Sequence, residues 1–441
     1  MGAMSSADVT FLPGRTGIAV ERAEGVHLVT PDGRRIIDGA GGAIVANIGH
    51  GRHEVAEAAR HSLDRIGYVV PPFATPERER LIERLVTSWL PPGLDRVALV
   101  SGGSESTDAA IRIAHLHHSA QGRPQRTKVV SLLPSYHGMT LTTIAASGHA
   151  ARRRGLETML PDWPQVPLQL DPSRPALGYD QGDAAAHAAA LDAAIVAAGP
   201  DTVAAFIAEP VGGAASGAAV PPPGYWPAVL EVCRRHGVLV IADEVMCGFG
   251  RTGTRCAVDH EGVVPDLLVG GKGLGGGYAP IGGVYASSAV AEPIAASGLD
   301  VMFFTFSSSN AACAVADTVL RIMEDEHLVE RVAPMGERLQ RGLREALGDH
   351  PNVAQVRGRG LLVGVELVAD RETLAPFPVE RHLAYDVTQA ALARGLWVYP
   401  AGSGRPQDCL LFGPPFTISE AEVDTMVEIT AAALADVTGV R

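Results

Sequence analysis

Short apolar runs bounded by turn residues alternate along this chain with longer stretches whose apolar positions recur at helical spacing. The runs RVALV (96–100), KVVSLL (128–133), VAAFIA (203–208), VLVIAD (238–243), DLLVGG (266–271) and IGGVYA (281–286) are rich in Val, Leu, Ile and Ala. Strands buried on both faces read this way, which predicts a largely parallel sheet. Between them, Thr75 and Pro76 predict a capped helix start, with Leu81, Leu85 and Trp89 on one face beside Ile82 and Val86. TDAAIRIAHLHH (107–118) and the Ala-rich stretch 184–198, stopped by Gly199-Pro200, predict further helices. Nearer the N-terminus, GVHLVT and RIIDGA flank Pro31-Asp32-Gly33 as a hairpin. Residues 165–183 are rich in Pro and Gly and read as loop, and MFFTFSSSN is a turn leading into a helix. From about Glu330 an amphipathic helix precedes VRGRGLLVGVELV, another helix and the strands GLWVYP and CLLFGPPF. Ser419 and Glu422 form a capping box for the last helix.

Three of the apolar runs end in charge: one at Glu209, one at Asp243-Glu244, one at Lys272. Their spacing is that of βαβ units, so neighbouring strands would deliver two acids and a lysine to the carboxyl edge of the sheet, where open α/β folds bind ligands. One such ending alone reads as a helix cap; three, with Gly271 and Gly273 beside the lysine, read as a site. A lysine walled in by apolar strands loses preference for its charge, which suits Schiff-base chemistry. An acid aimed at a pyridine nitrogen is the usual partner of pyridoxal phosphate (PLP), and Asp243 with Lys272 fits that pairing.

Other stretches add to this picture or are set aside. RVALV runs into SGGSES (101–106) and a helix, a turn that cradles a phosphate or simply caps a helix. Tyr136 and His137 follow another strand at the same edge, where the tyrosine either stacks on a flat cofactor or packs in the core. His115, His117 and His118 lack nearby carboxylates or cysteines and read as a partly solvated helix face rather than a metal site. GFGRTG (248–253) and GKGLGG (271–276) match a dinucleotide fingerprint literally, but the first follows its strand only after an acidic segment and the second precedes a strand. GGKG lacks the spaced glycine and the Ser or Thr of a P-loop. A nicotinamide oxidoreductase is therefore the remote alternative.

At 441 residues and 46% hydrophobic, the chain has ample core for two or three domains. A formal charge of −13 argues against nucleic acid or an anionic membrane as partner. Five cysteines without paired spacing, no membrane-spanning run and no signal-peptide pattern predict a cytoplasmic protein.

The ordered set SGGSES, SYHG, AEPV, ADEV…GFGRTG, GGKGLGGGYAPIG and FTFS resembles the class III aminotransferases over nearly the whole chain. The resemblance implies α/β architecture of PLP fold type I: a large domain with a mostly parallel seven-stranded sheet and a small α/β domain from both termini. We expect the N-terminal part at 1–70, the large domain at 71–329 and the C-terminal part at 330–441. It implies Lys272 as the Schiff-base lysine and proton carrier, Asp243 on the pyridine nitrogen, and Val245 and Tyr136 on the ring's two faces. Gly103 and Ser104 would hold the phosphate, Thr305 would reach the phosphate of a neighbouring subunit, and Glu209 would support the site. It also implies a homodimer, with a tetramer as the larger form. The expected substrates are an amine or amino-acid donor and a keto-acid or aldehyde acceptor, exchanged by ping-pong half reactions. Met246 follows DEV as in the ω-transaminase subgroup. Ala43 and Ile44 replace a leucine and a tryptophan of that subgroup's substrate pocket, and Ser308-Ser309-Asn310 departs from the usual turn after the threonine. Arg405 resembles the mobile arginine that receives a substrate carboxylate; the other reading is an ordinary loop arginine. An epimerase or decarboxylase of the same family would use the same lysine and acid. A non-catalytic PLP-binding module would not be expected to keep the whole set.

Overall fold

The computed structural model describes residues 17–168, 183–301, 303–404 and 407–440. Strands β1 (Arg22–Glu24), β2 (His27–Val29) and β3 (Arg35–Asp38) come first. The middle of the chain holds β4 (Arg96–Val100), β5 (Lys128–Leu133), β6 (Gln165–Pro167), β7 (Val203–Ala208), β8 (Leu239–Asp243), β9 (Leu267–Gly270) and β10 (Gly282–Ala286). Last come β11 (Val353–Arg359), β12 (Leu362–Leu367), β13 (Leu396–Trp397), β14 (Tyr399–Ala401) and β15 (Asp408–Phe412).

The middle strands form one seven-stranded sheet in the order β4-β10-β9-β8-β7-β5-β6. Every pairing is parallel except those of β10, which runs antiparallel to β4 and β9. Helices cover both faces, and every residue of β7, β8, β9 and β10 is buried, which is why these runs are apolar throughout rather than alternating. Because β7, β8 and β9 are adjacent, their charged ends lie side by side.

Both termini build the smaller α/β unit. The β2–β3 hairpin forms as the turn predicts, and β13, more than 350 residues later, pairs in parallel with β3. A second sheet, β11-β12-β15-β14, packs with the helices Leu328–Leu347, Leu383–Ala393 and Glu420–Thr438. The last begins with the predicted Ser419–Glu422 capping box. A buried arginine joins the two units. Arg251 donates to the carbonyls of Leu361 and Pro414 and, at 2.7 Å, to Oδ1 of Asn47, while its guanidinium lies over Phe416. Burial pushes its pKa down to about 9, so it is still charged at neutral pH.

Several local expectations are corrected. Residues 165–167 are the edge strand β6 rather than loop: Val166 is buried and the backbone pairs with β5, with Pro167 tolerated where the strand ends. The remainder of that stretch, 169–182, lies outside the described residues. The Pro76–Arg84 helix starts where predicted, but Thr75 does not cap it. Its hydroxyl donates 2.9 Å to Oδ1 of Asn310, tying that helix to Asn310–Asp325. His117 and His118 are not on a solvated face. Both are buried, with ring nitrogens 3.1 and 2.9 Å from the carbonyls of Val290 and Ala204. Burial pushes the His118 pKa down to about 4, and among the described residues no His, Cys, Asp and Glu group is arranged to hold a metal.

Close packing between helix Leu328–Leu347 and the β11–β12 turn gives a test. A Cβ on Gly336 would lie 1.9 Å from the carbonyl oxygen of Gly360, a backbone atom that cannot swing aside. Alanine gains about 1 kcal/mol over glycine in a helix, yet overpacking costs ~1–3 kcal/mol. Gly336→Ala therefore lowers the urea midpoint at unchanged slope; an equal or higher midpoint contradicts this packing.

Candidate active site

A cleft of about 150 Å³ opens at the C-terminal ends of β7, β8 and β9. Lys272, Asp243, Glu209, Tyr136, Val245, Gly103 and Ser104 all line it, joined by His137, Gly138 and Met246. Seven of the residues singled out in the sequence thus meet in one place.

Lys272 follows β9 in a short turn, Lys272–Leu274, with a left-handed backbone at φ 40°. A non-glycine residue there is strained, a feature that clusters at functional sites. Burial lowers the pKa of its amine, while the carboxylates of Asp243 and Glu209 pull the other way. The flanking glycine at 273 does not clear space for a ligand: a Cβ there would strike the side-chain amide of Asn47 at 2.3 Å. That amide also donates 2.9 Å to the carbonyl of Phe249, so Asn47 and Arg251 latch the N-terminal segment onto the lysine turn.

Asp243, at the end of β8, is fixed on both oxygens. One accepts from the N–H of Val245 at 3.0 Å, and the other lies 2.7 Å from Nδ1 of His137. The sequence placed His137 at this edge without a role. The signal was its position next to Tyr136, but nothing local shows that its ring faces β8. Glu209, just beyond β7, accepts from the N–H groups of Gly213 at 2.8 Å and Tyr136 at 3.2 Å. Burial pushes its pKa up to about 7, with His137 opposing and Asp243 adding to the rise. Glu244, the other acid of the pair, faces the protein, where both oxygens accept at 2.8 Å from Ala257 and Val258 N–H groups.

The opposite wall is the N-terminus of helix Gly103–Ala120, whose first N–H groups have no intrahelical partner. Glycines keep it open. A Cβ on Gly103 would meet Val245 at 2.6 Å, and Gly138, at φ 134°, leaves room for Ser104 and Thr143. The Ser104 oxygen accepts from the Met139 N–H at 3.1 Å, which leaves its own proton free to donate.

Three predicted residues stand elsewhere. Ile44 does not line the cleft: its left-handed backbone, φ 58°, turns the side chain into a buried cluster with Val211, Cys247 and Leu411, behind Met246. Thr305 is exposed, outside the cleft of its own chain, and its carbonyl accepts from the Tyr68 hydroxyl at 3.0 Å. Arg405 lies outside the described residues.

Comparison with known proteins now defines the class. The family described as Aminotransferase class-III matches residues 13–434. The chain is 35% identical over 424 residues to the uncharacterized aminotransferase YodT of Bacillus subtilis (strain 168), covering 95% of each. It superposes on a thermostable (S)-enantioselective ω-transaminase from Thermomicrobium roseum with a TM-score of 0.87 at 38% identity, covering 95% of this chain and 93% of that one. An ω-transaminase from Pseudomonas jessenii in complex with PMP gives 0.87 at 33% identity, with 96% and 93% covered. The chain belongs to the class III aminotransferases, PLP-dependent transaminases of fold type I. The donor set in the cleft fits that cofactor: an amine for its aldehyde, an oriented carboxylate for its ring nitrogen and a free helix N-terminus for its phosphate.

Glu209 makes the site sensitive to pH. It gains charge as pH rises through about 7, and a negative charge there raises the hold of Lys272 on its proton. Glu209→Gln removes that charge, so the free amine persists to lower pH. The acid limb of the pH profile for a single half reaction shifts down in the variant, by a few tenths to about one unit. A limb that stays or moves up contradicts the coupling.

Proposed function

We propose that Lys272 is the catalytic amine of this transaminase, that Asp243, Glu209, Tyr136, Val245, Gly103 and Ser104 hold the cofactor, and that a second copy of the chain completes each site. The observation that carries the reading is the placement of a half-buried lysine in a cleft lined by two carboxylates. The sequence has only two lysines, Lys128 and Lys272, and Lys128 donates to the carbonyl of Ala198 at 2.7 Å. Lys272 alone stands in a cleft with carboxylates beside it.

When bound, PLP supplies an electron sink for the pair left behind at a substrate carbon. Lys272, biased by burial toward its neutral form, removes the proton at the substrate's Cα and holds it on Nζ for redelivery. Asp243, oriented by His137 and the Val245 N–H, would keep the ring nitrogen protonated. The helix N-terminus at Gly103 and Ser104, with its positive dipole end, would receive the phosphate. Tyr136 and Val245 would flank the ring. The substrates on this reading are an amine or amino-acid donor and a keto-acid or aldehyde acceptor.

The dimer reading rests on an exposed aromatic patch. Tyr68, Phe73, Phe303 and Phe306 are 51%, 62%, 45% and 67% exposed, and Tyr68 meets Phe306 edge-on. Such a patch calls for a cover, and it surrounds Thr305, which would reach the phosphate of the opposite site. The β3–β13 pairing supports reading 1–70 and 330–441 as one small domain around 71–329. A cytoplasmic setting fits five free, buried cysteines, and no helix among the described residues is long and apolar enough to cross a membrane.

Lys272→Ala should fold, by circular dichroism, yet lose turnover by about 10³-fold or more; normal turnover sinks the assignment. Asp243→Asn should slow the donor half reaction on the order of 10²-fold, and a wild-type rate would show that Asp243 is not the ring's partner. Thr305→Val should weaken cofactor binding by about 1.5–3 kcal/mol. Mixing it with Lys272→Ala subunits should restore full affinity at the hybrid's lysine-bearing site. Affinity that stays low after confirmed exchange places the threonine in its own chain's site.

A further inference from the structure

Between β7 and helix Tyr225–His236 the chain leaves the cleft at Glu209 and runs along the C-terminal unit, which grips it at three backbone carbonyls. Nη2 and Nε of Arg357, on β11, donate to the carbonyls of Ser216 and Gly217 at 2.8 and 2.9 Å. The N–H of Gly402, just beyond β14, donates to the carbonyl of Ala214 at 2.8 Å. The seat is close: a Cβ on Gly364, in β12, would lie 2.2 Å from the Gly217 carbonyl oxygen. Arg357 is itself held in place. It is buried and paired with the buried Glu366 of β12, and its Nη1 donates to Oε1 of Gln355 at 3.0 Å.

Hydrogen bonds carry that grip on to the cleft. The Gly217 N–H donates to the carbonyl of Gly213 at 2.9 Å, and the Gly213 N–H donates to Oε1 of Glu209 at 2.8 Å. Three bonds in series therefore join a buried guanidinium of the C-terminal unit to an acid that lines the cleft. The same loop brings a second polar group near that acid. The Ser216 hydroxyl, buried and without a partner among the described residues, lines a cavity of about 10 Å³ together with Glu209. That is the room one water needs.

We propose that Arg357 is a positioning residue for Glu209: by seating loop 213–217 on the C-terminal unit it holds the Gly213 N–H on the carboxylate, and so sets how much negative charge stands beside Lys272. The inference rests on Lys272 being the catalytic amine. From the other elements, Glu209 is faced by Tyr136 and His137 after β5, Asp243 and Cys247 at the end of β8, and Lys272 after β9. A carboxylate that loses an N–H donor loses stabilisation of its charged form, and its pKa rises. Glu209, already lifted to about 7 by burial, then carries less charge at neutral pH, and Lys272 gives up its proton more readily.

Two variants of the cofactor-loaded protein test this. Arg357→Lys keeps a cation for Glu366 but gives up the grip on two carbonyls. Arg357→Met combined with Glu366→Leu removes both charges together, so neither is left buried and unpaired. The infrared band of a protonated carboxyl that Glu209→Gln abolishes reports the acid directly. Its midpoint should rise by about half a pH unit or more in both variants. In a single half reaction the acid limb of the pH profile should move down, as in Glu209→Gln, and adding Arg357→Lys to Glu209→Gln should move it no further. A wild-type midpoint in either folded variant overturns the proposal, as does an extra shift of the limb on adding Arg357→Lys to Glu209→Gln. A lower melting temperature with midpoint and limb unchanged would make Arg357 a support of the fold alone. Full turnover by Lys272→Ala would instead overturn the reading of the site, and leaves the infrared midpoint to decide Arg357.

Discussion

A half-buried amine in a cleft lined by two carboxylates is the constraint on which the rest of this structure depends. Burial drives Lys272 toward the neutral form a base needs, and Asp243 and Glu209 limit how far that goes. Neighbouring strands lie about 4.8 Å apart, so the adjacency of β7, β8 and β9 is what brings the three groups within reach of one small ligand. The strained turn at Lys272 is held from outside the sheet. Asn47 fills the space a side chain at 273 would need, and Arg251 grips Asn47 together with carbonyls of the C-terminal part. The small unit built from both termini therefore bears directly on the geometry of the lysine.

The distribution of cations reinforces this. Of 36 lysines and arginines, only Lys128 and Lys272 are lysines. Arginine stays protonated under nearly all conditions and cannot serve as a base at neutral pH. It does the fold's structural work instead, as in Arg251 among carbonyls and the buried Arg357–Glu366 pair. Of the two lysines, Lys272 stands in the cleft, and burial loosens its proton.

Much of this was legible in the sequence because it is written in strand-length apolar runs. Each run ended at its functional group, so Glu209, Asp243 and Lys272 could be placed on one edge before their order in the sheet was known. The turn into helix Gly103–Ala120 was legible for the same reason, as a strand meeting a helix start. What failed to show depends on tertiary direction rather than on local pattern. His137 turns toward Asp243, His117 and His118 turn inward to carbonyls of other elements, and Ile44 is rotated into the core by a left-handed backbone. A three-residue edge strand inside a proline-rich stretch carries too little periodicity to be seen.

The claim that Lys272 is the cofactor-bearing amine has one direct measurement. Borohydride reduction of the PLP-loaded protein, followed by peptide mapping, fixes the cofactor wherever it is bound to an amine. The account predicts a single phosphopyridoxyl mass, on the peptide containing Lys272, with Lys128 unmodified. The cofactor's mass on Lys128 or on the N-terminal amine, with the Lys272 peptide unchanged, would contradict it.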